Sequence, residues 1–257
     1  MESYIEVNGV RTWYERAGEG DPLLLLHPGG AGVDSRAWSP NIEAFRTRFT
    51  TFTPDRRAHG RTPDVAGPIT FEVMTDDTLG FIEAVIGEPA HLAGYSDGAI
   101  VALLLALRRP DLVRKLVFIA APYHLEGWVP GVIDPEREPP EFLGASYAEI
   151  SPDSPDHYPV VVEKLARMHQ EGPTLKTSDL GGIQARTLVM VADDDEVTLE
   201  HAISMYRAIP DSELAVVPGT SHGLLVEKPQ LCNLMILDFL TSDAVPTVAP
   251  IRRLSRD

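Results

Sequence analysis

Cysteine is nearly missing from the chain: Cys232 is the only one in 257 residues, so no intramolecular disulfide can staple the fold. It lies in the apolar run 231–240 and reads as a buried, inert thiol, not as a nucleophile. Long apolar stretches are also missing. Runs such as 23–26, and even the longer 99–107, fall far short of the ~20 apolar residues that a membrane-spanning helix needs. The opening Met1-Glu2-Ser3-Tyr4-Ile5-Glu6 has neither a basic n-region nor an apolar h-region, so no secretion signal is expected, and a cytoplasmic protein is. Positive charge is scarce: 22 Lys and Arg face 38 Asp and Glu, a net of −16. A field of that sign repels phosphate backbones and anionic lipid, which removes nucleic acid and membrane surfaces from the expected partners. A small-molecule substrate remains. No internal repeat is visible.

What the chain does contain is an ordinary hydrophobic share, 44%, over a length that suits one large domain or two small ones. Residues 4–7 and 11–15 carry β-formers around Asn8-Gly9, a dipeptide suited to a two-residue hairpin turn. Apolar runs at 22–26, 50–53, 90–93, 115–119, 187–191 and 213–217 have the continuous pattern of strands covered on both faces. Helix patterns lie between them. One is opened by Thr70, carries Met74, Leu79, Ile82 and Ile86, and closes at Gly87; others span 97–109, 199–209 and 229–240. This alternation predicts an α/β fold with a mostly parallel sheet flanked by helices.

The rhythm breaks once, between the strand ending near Ala120 and the one starting near Thr187. The intervening stretch is rich in proline (Pro130, Pro135, Pro139, Pro140, Pro152, Pro155, Pro159) and shows one helix pattern, 160–170. A connection this long inside a compact domain reads as a lid or binding element. The expected organisation is a core of 1–120 and 185–243, a cap at 121–184 inserted after the sixth strand, and a disordered tail at 244–257. In the cap, eleven acidic residues outnumber four basic ones. Such a lid either solvates its outer face or favours neutral and cationic substrates over anionic ones.

Chemistry is concentrated in three places. Gly94-Tyr95-Ser96-Asp97-Gly98 fits G-x-S-x-G and stands between a strand pattern and a strong helix pattern. In that setting the motif makes a sharp turn that lifts a serine hydroxyl above the sheet edge, with glycines where side chains would clash. Such a hydroxyl needs a base to take its proton, and an imidazole base needs a carboxylate to hold its tautomer. His222 follows the last strand, in Gly219-Thr220-Ser221-His222-Gly223, and Asp193-Asp194-Asp195 follows the strand at 187–191. All three groups sit beyond the carboxyl ends of strands, where open α/β sheets place their sites. Each piece alone reads as a solvated turn or loop residue; their coincidence points to Ser96 as nucleophile and His222 as base. The acidic triplet has no histidine or cysteine at ligand spacing, so no metal is expected. The run Gly29-Gly30-Ala31-Gly32 lacks G-x-G-x-x-G and the Walker lysine, so no phosphate-bearing cofactor is expected either.

Together, His27-Pro28-Gly29-Gly30, Asp55-Arg56-Arg57-Ala58-His59-Gly60-Arg61-Thr62, the 94–98 elbow, Ala192-Asp193-Asp194-Asp195 and Gly219-Thr220-Ser221-His222 resemble the α/β-hydrolase superfamily over residues 4–242. The resemblance implies Asp195, the last acid of the family's G-D-x-D pattern, as the carboxylate; Ala192 stands where that pattern has glycine. It implies an oxyanion hole from the N–H groups of Asp97 and Gly29, with Gly30 as fallback, because Pro28 has no N–H. His27 and the turn at His59 are structural by the same resemblance. The elbow is also similar to the Gly-Trp-Ser-Asp-Gly of valacyclovir-hydrolase-like enzymes, which implies that the Asp97 carboxylate reads an amino group. A carboxylate in a first helical turn also accepts N–H bonds and complements the dipole, and both roles remain open. Gly30, Tyr95, Tyr123 and Trp128 are the substrate-binding candidates.

The expected function is a serine hydrolase that cleaves a small carboxylic ester, lactone or thioester through an acyl-enzyme on Ser96. A carbon–carbon bond hydrolase or a cofactor-free perhydrolase would use the same groups, and some non-catalytic ligand receptors on this fold retain them. Dehalogenases and most epoxide hydrolases of the superfamily carry aspartate at the elbow, where this chain has Ser96.

Overall fold

The chain begins with the hairpin that Asn8-Gly9 predicts. In the structure, a computed structural model describing residues 1–134, 138–243 and 247–251, β1 (Glu2–Val7) and β2 (Val10–Ala17) pair antiparallel. Both turn residues take positive φ, 48° and 76°, as a type I′ turn requires. The expected tail at 244–257 falls largely outside the described residues, as does Pro135.

Six further strands complete the sheet: β3 (Asp21–Leu26), β4 (Phe49–Pro54), β5 (Ala90–Tyr95), β6 (Val113–Ile119), β7 (Arg186–Asp194) and β8 (Ser212–Ser221). Their order is β1-β2-β4-β3-β5-β6-β7-β8, antiparallel at β1–β2 and β2–β4 and parallel elsewhere. β3 shows why the sheet is buried on both sides. Leu24 and Leu26 face one core, Leu23 and Leu25 the other, and none is exposed. Burial of each such side chain stabilises the fold by roughly 1.5–3 kcal/mol.

The helices are α1 (Ile42–Arg46), α2 (Phe71–Phe81), α3 (Asp97–Arg108), α4 (Glu141–Ile150), α5 (Tyr158–Glu171), α6 (Leu199–Ala208), α7 (Leu224–Glu227) and α8 (Pro229–Thr241). α2 starts where the Thr70 hydroxyl accepts the Val73 N–H (3.1 Å), and its π-helical continuation stops at Gly87, φ 73°. The sequence pattern misses α1, α4 and α7. Two of them have only five and four residues, too few to show a period, and α4 opens directly after Pro140 in the proline-rich stretch. Among the described residues no helix is long and apolar enough to cross a membrane. Cys232 is fully buried, and burial pushes its thiol pKa up to about 11.

The topology prepares a crevice. β3 and β5 are adjacent and parallel, with Leu26 opposite Gly94, but the chain leaves β3 toward β4 on one side and β5 toward β6 on the other. The loops after β3 and β5 therefore emerge side by side at a switch point, the usual position for a ligand in an open α/β sheet. Residues 121–184 leave the sheet after β6 and carry α4 and α5. Polar pairs tie them to the rest of the chain: Lys164 and His157 to Asp64 at 2.6 and 2.9 Å, and Arg36 to Glu149 at 3.0 Å. Backbone bonds add to these, from Thr198 N–H to the Gly127 carbonyl (2.9 Å) and from Val129 N–H to the Glu196 carbonyl (2.8 Å).

α3 packs so tightly on the end of β3 that a side chain at Gly98 would run into the carbonyls of Leu26 and His27. Gly98→Ala should therefore destabilise the protein by about 1–3 kcal/mol or more, despite the ~1 kcal/mol helix-propensity gain of alanine. Urea unfolding would show this as a lower midpoint at constant slope. A wild-type midpoint would mean that α3 does not sit against β3 in this way.

Candidate active site

Tyr95 ends β5 and Asp97 begins α3, so the turn between strand and helix is one residue, Ser96. Its backbone lies at φ 53°, ψ −123°, a conformation that costs of order 1–3 kcal/mol and persists only when the surroundings over-determine it. They do so here from two sides. The Ser96 N–H donates to the Ile119 carbonyl of β6 at 2.8 Å, and the Ser96 carbonyl accepts from Ala99 and Ile100 N–H at 2.8 and 3.2 Å.

His222 lies just past β8, in the loop before α7. Its Nε2 is 3.1 Å from Ser96 Oγ and its Nδ1 is 2.7 Å from Asp195 Oδ1. The Asp195 carboxylate is unexposed and also accepts N–H bonds from Ala192 (2.9 Å) and Val197 (3.4 Å). A carboxylate only accepts, so Nδ1 carries the imidazole proton and the Nε2 lone pair faces the serine hydroxyl. Asp193 instead accepts the Thr220 N–H at 3.1 Å, and Asp194 is exposed. Burial opposes charge on His222, but the hydrogen bond and charge of Asp195, with Glu196 and Asp97 adding to them, raise its pKa above the ordinary histidine value. Glu196 Oε2 lies 3.7 Å from Nε2.

The loop after β3 is held from beneath. His27 Nδ1–H donates to the Pro28 carbonyl at 2.7 Å, and His27 Nε2 accepts the Arg56 N–H at 3.0 Å. Arg56 Nη2 donates to the His27 and Pro28 carbonyls, both at 2.9 Å. In a planar trans peptide the C=O and N–H point opposite ways. Two donors on the Pro28 carbonyl therefore turn the Gly29 N–H away from Arg56. Among the described residues no protein acceptor takes the N–H of Gly29 or of Asp97. Arg56 is 5% exposed, and burial lowers its pKa to about 10. Sequence reasoning missed this residue; its one signal is an arginine at the end of a fully buried strand. His59 is also sealed in, its Nδ1–H donating to the Arg57 carbonyl (2.8 Å), and burial with Arg56 nearby lowers its pKa to about 4.

Ser96 and His222 open onto a cavity of about 490 Å³ that Gly29, Gly30, Tyr95 and Trp128 also line. Leu143, from α4, and Val162 and Leu165, from α5, supply apolar walls, while Asp134, Glu138 and Glu196 make part of its lining acidic. Tyr95 does more than line it. Its hydroxyl donates to the His222 carbonyl and its ring packs 5.7 Å from the imidazole. Trp128 approaches the same imidazole at 6.3 Å.

Tyr123, an expected pocket residue, is a correction. Its ring stacks on His201 at 4.0 Å, its hydroxyl bonds Thr177 and Ser204 at 2.9 and 3.0 Å, and it does not line the cavity. The Asp97 side chain keeps the expected place of an acid in the first turn of α3, and its partner there is a histidine. It is 2% exposed, and both its oxygens meet His169 Nε2 of α5, at 3.0 and 2.9 Å. Burial alone would raise the Asp97 pKa, but His169 and Arg56 hold it below the ordinary carboxylate value. Burial likewise opposes charge on His169, and Asp97 outweighs it, raising that pKa. No sequence signal marked His169, since it lies 72 positions from its partner on an ordinary amphipathic helix.

Comparison with known proteins bears on this architecture. A family model described as "Alpha/beta hydrolase family" matches residues 23–233. Among curated proteins the chain is similar to Serine hydrolase BPHL of Mus musculus, 28% identical, with 92% of this chain and 85% of that protein covered. It is also similar to (E)-2-((N-methylformamido)methylene)succinate hydrolase of Acinetobacter baylyi, 24% identical, with 88% and 92% covered. Among solved structures, a meta-cleavage product hydrolase (CumD) of Pseudomonas fluorescens IP01 matches with a TM-score of 0.83 over 93% of this chain and 97% of that one. At 21% identity, that likeness is one of fold alone. The family match spans most of the chain, including the β5–α3 elbow and the loops after β3 and β7, and the chain belongs to the α/β-hydrolase family.

Proposed function

We propose that this α/β hydrolase is a serine esterase that cleaves a small carboxylic ester, lactone or thioester through an acyl-enzyme on Ser96. The observation that carries the proposal is the continuous relay from Ser96 Oγ to His222 Nε2 (3.1 Å) and from His222 Nδ1 to Asp195 (2.7 Å), open to a cavity at its serine end. The likeness to a protein named as a serine hydrolase supports it.

In this mechanism His222 takes the Ser96 proton as Oγ attacks the carbonyl carbon, while Asp195 holds the imidazole tautomer and stabilises the imidazolium. Negative charge then collects on the carbonyl oxygen. The N–H groups of Gly29 and Asp97 receive it, the second at the N-terminus of α3; each such donor contributes about 3–4 kcal/mol in measured cases. Arg56 and His27 act as positioning residues for Gly29. His222 next gives its proton to the leaving alkoxide, then deprotonates the water that releases the acyl group. Residues 121–184 serve as the cap that walls the site, and the acidic lining from Asp134, Glu138 and Glu196 favours neutral or cationic substrates over anionic ones.

Two outcomes test this mechanism. Ser96→Ala should lower kcat/KM for a 4-nitrophenyl alkanoate by about 10³-fold or more, with the acyl-enzyme burst abolished and the fold intact. Equal turnover by the variant would sink the proposal. The base works only when neutral, so kcat/KM should rise with pH along an acid limb set by His222. Its midpoint should lie above the unperturbed 6.5, since the folded-state pKa is raised. Glu196→Gln removes a charge that favours the imidazolium, and the limb should move to lower pH. A limb below 6.5, or one unmoved in the variant, contradicts this assignment.

A further inference from the structure

A carboxylate beside the nucleophile, with only Arg56 to balance it, would draw a cationic group of the substrate. Asp97 is not in that state. His169 reaches down from α5 and places Nε2 within hydrogen-bond distance of both carboxylate oxygens. The histidine also lines the cavity, with its side chain 22% exposed. Its other ring nitrogen, Nδ1, has no partner among the described residues and is not among the buried polar atoms sealed from solvent. An imidazolium carries two N–H donors and no acceptor. With one donor committed to Asp97, the second is free for an acceptor.

We propose that His169 forms a donor subsite beside Ser96 that selects a hydroxyl or carbonyl oxygen on the acyl group and, by covering Asp97, rejects an ammonium group there. This deepens the esterase proposal and rests on it. The Asp97 backbone N–H is an oxyanion donor in that mechanism, so an α-substituent, two bonds from the reacting carbon, is the part of a small ester nearest the Asp97–His169 pair. The charged groups facing His169 are Asp97 on α3, which favours its protonated form, and Arg56 after β4, which opposes it. His59 also feels the pair, and the Phe71 ring of α2 packs against the imidazole at 6.2 Å.

Three nearly isosteric benzyl esters test the proposal: 2-hydroxypropanoate, propanoate and 2-aminopropanoate. Wild type should favour the hydroxy ester over the amino ester by about tenfold or more in kcat/KM, the scale of one hydrogen bond from a charged donor. In His169→Ala the uncovered Asp97 should invert that order. His169→Gln, which keeps a neutral donor, should restore part of the hydroxy preference. The hydroxy-to-propanoate ratio should fall as pH rises through the raised His169 pKa, and stay flat in His169→Ala; the ratio cancels the shared dependence on His222. Binding of the three esters to Ser96→Ala, which needs no turnover, should follow the wild-type order. If binding follows that order while wild type turns over no ester, the esterase proposal fails and the subsite stands. A wild-type preference for the amino ester, or ratios unaltered in a folded His169→Ala, overturns the subsite.

Discussion

Ser96 holds a backbone conformation that an L-residue reaches only at a cost of order 1–3 kcal/mol, and the packing of β3, β5, β6 and α3 is what keeps it there. A strand that ended one residue later, or a helix set further back, would let the serine relax into the sheet edge. The glycines at 94 and 98 belong to the same constraint, because a methyl group at either would strike backbone. From this single turn follow the outward hydroxyl, the Asp97 N–H that no acceptor among the described residues takes, and the closeness of the β3 loop that brings Gly29 alongside.

Around the elbow, charge is buried in compensating groups. Arg56, Asp97 and His169 form one cluster under and beside the loop after β3, and Asp195 with His222 forms another. Burying ions costs several kcal/mol each before pairing repays it, so such clusters are poor sources of stability. Their return is geometric: Arg56 sets the Gly29 peptide plane, and Asp195 sets the His222 tautomer. Polar contacts of a similar kind fasten α5 and the turn before it to the loop after β4, through Lys164 and His157 on Asp64.

Much of this architecture is legible in the sequence because strands end abruptly. Apolar runs mark β3 to β8, and the residues just past β5, β7 and β8 are the ones that the fold brings within reach of one another, so Ser96, His222 and the triplet Asp193-Asp194-Asp195 stand out by position, while the choice of Asp195 within the triplet comes from the family pattern. What cannot be read depends on side-chain direction and on distant partners. Tyr123 and Trp128 are both aromatics early in the insertion, yet one turns onto His201 and the other lines the cavity. Arg56 acts on a loop 29 residues earlier, and His169 on an aspartate 72 residues earlier. The Asp97 carboxylate stands in the first turn of α3 as its position implies, but its partner comes from a distant helix that position does not reveal. Short helices such as α1 and α7 leave no period to detect.

The central claim is that the elbow delivers a serine activated by the imidazole beside it. The most direct measurement is reaction of the folded protein with a fluorophosphonate, followed by intact mass and peptide mapping. One adduct per chain, on Ser96, formed rapidly by the wild type and lost in a folded His222→Ala, is the result this account predicts. A folded wild type that remains unlabelled, or an adduct on another residue, would contradict it.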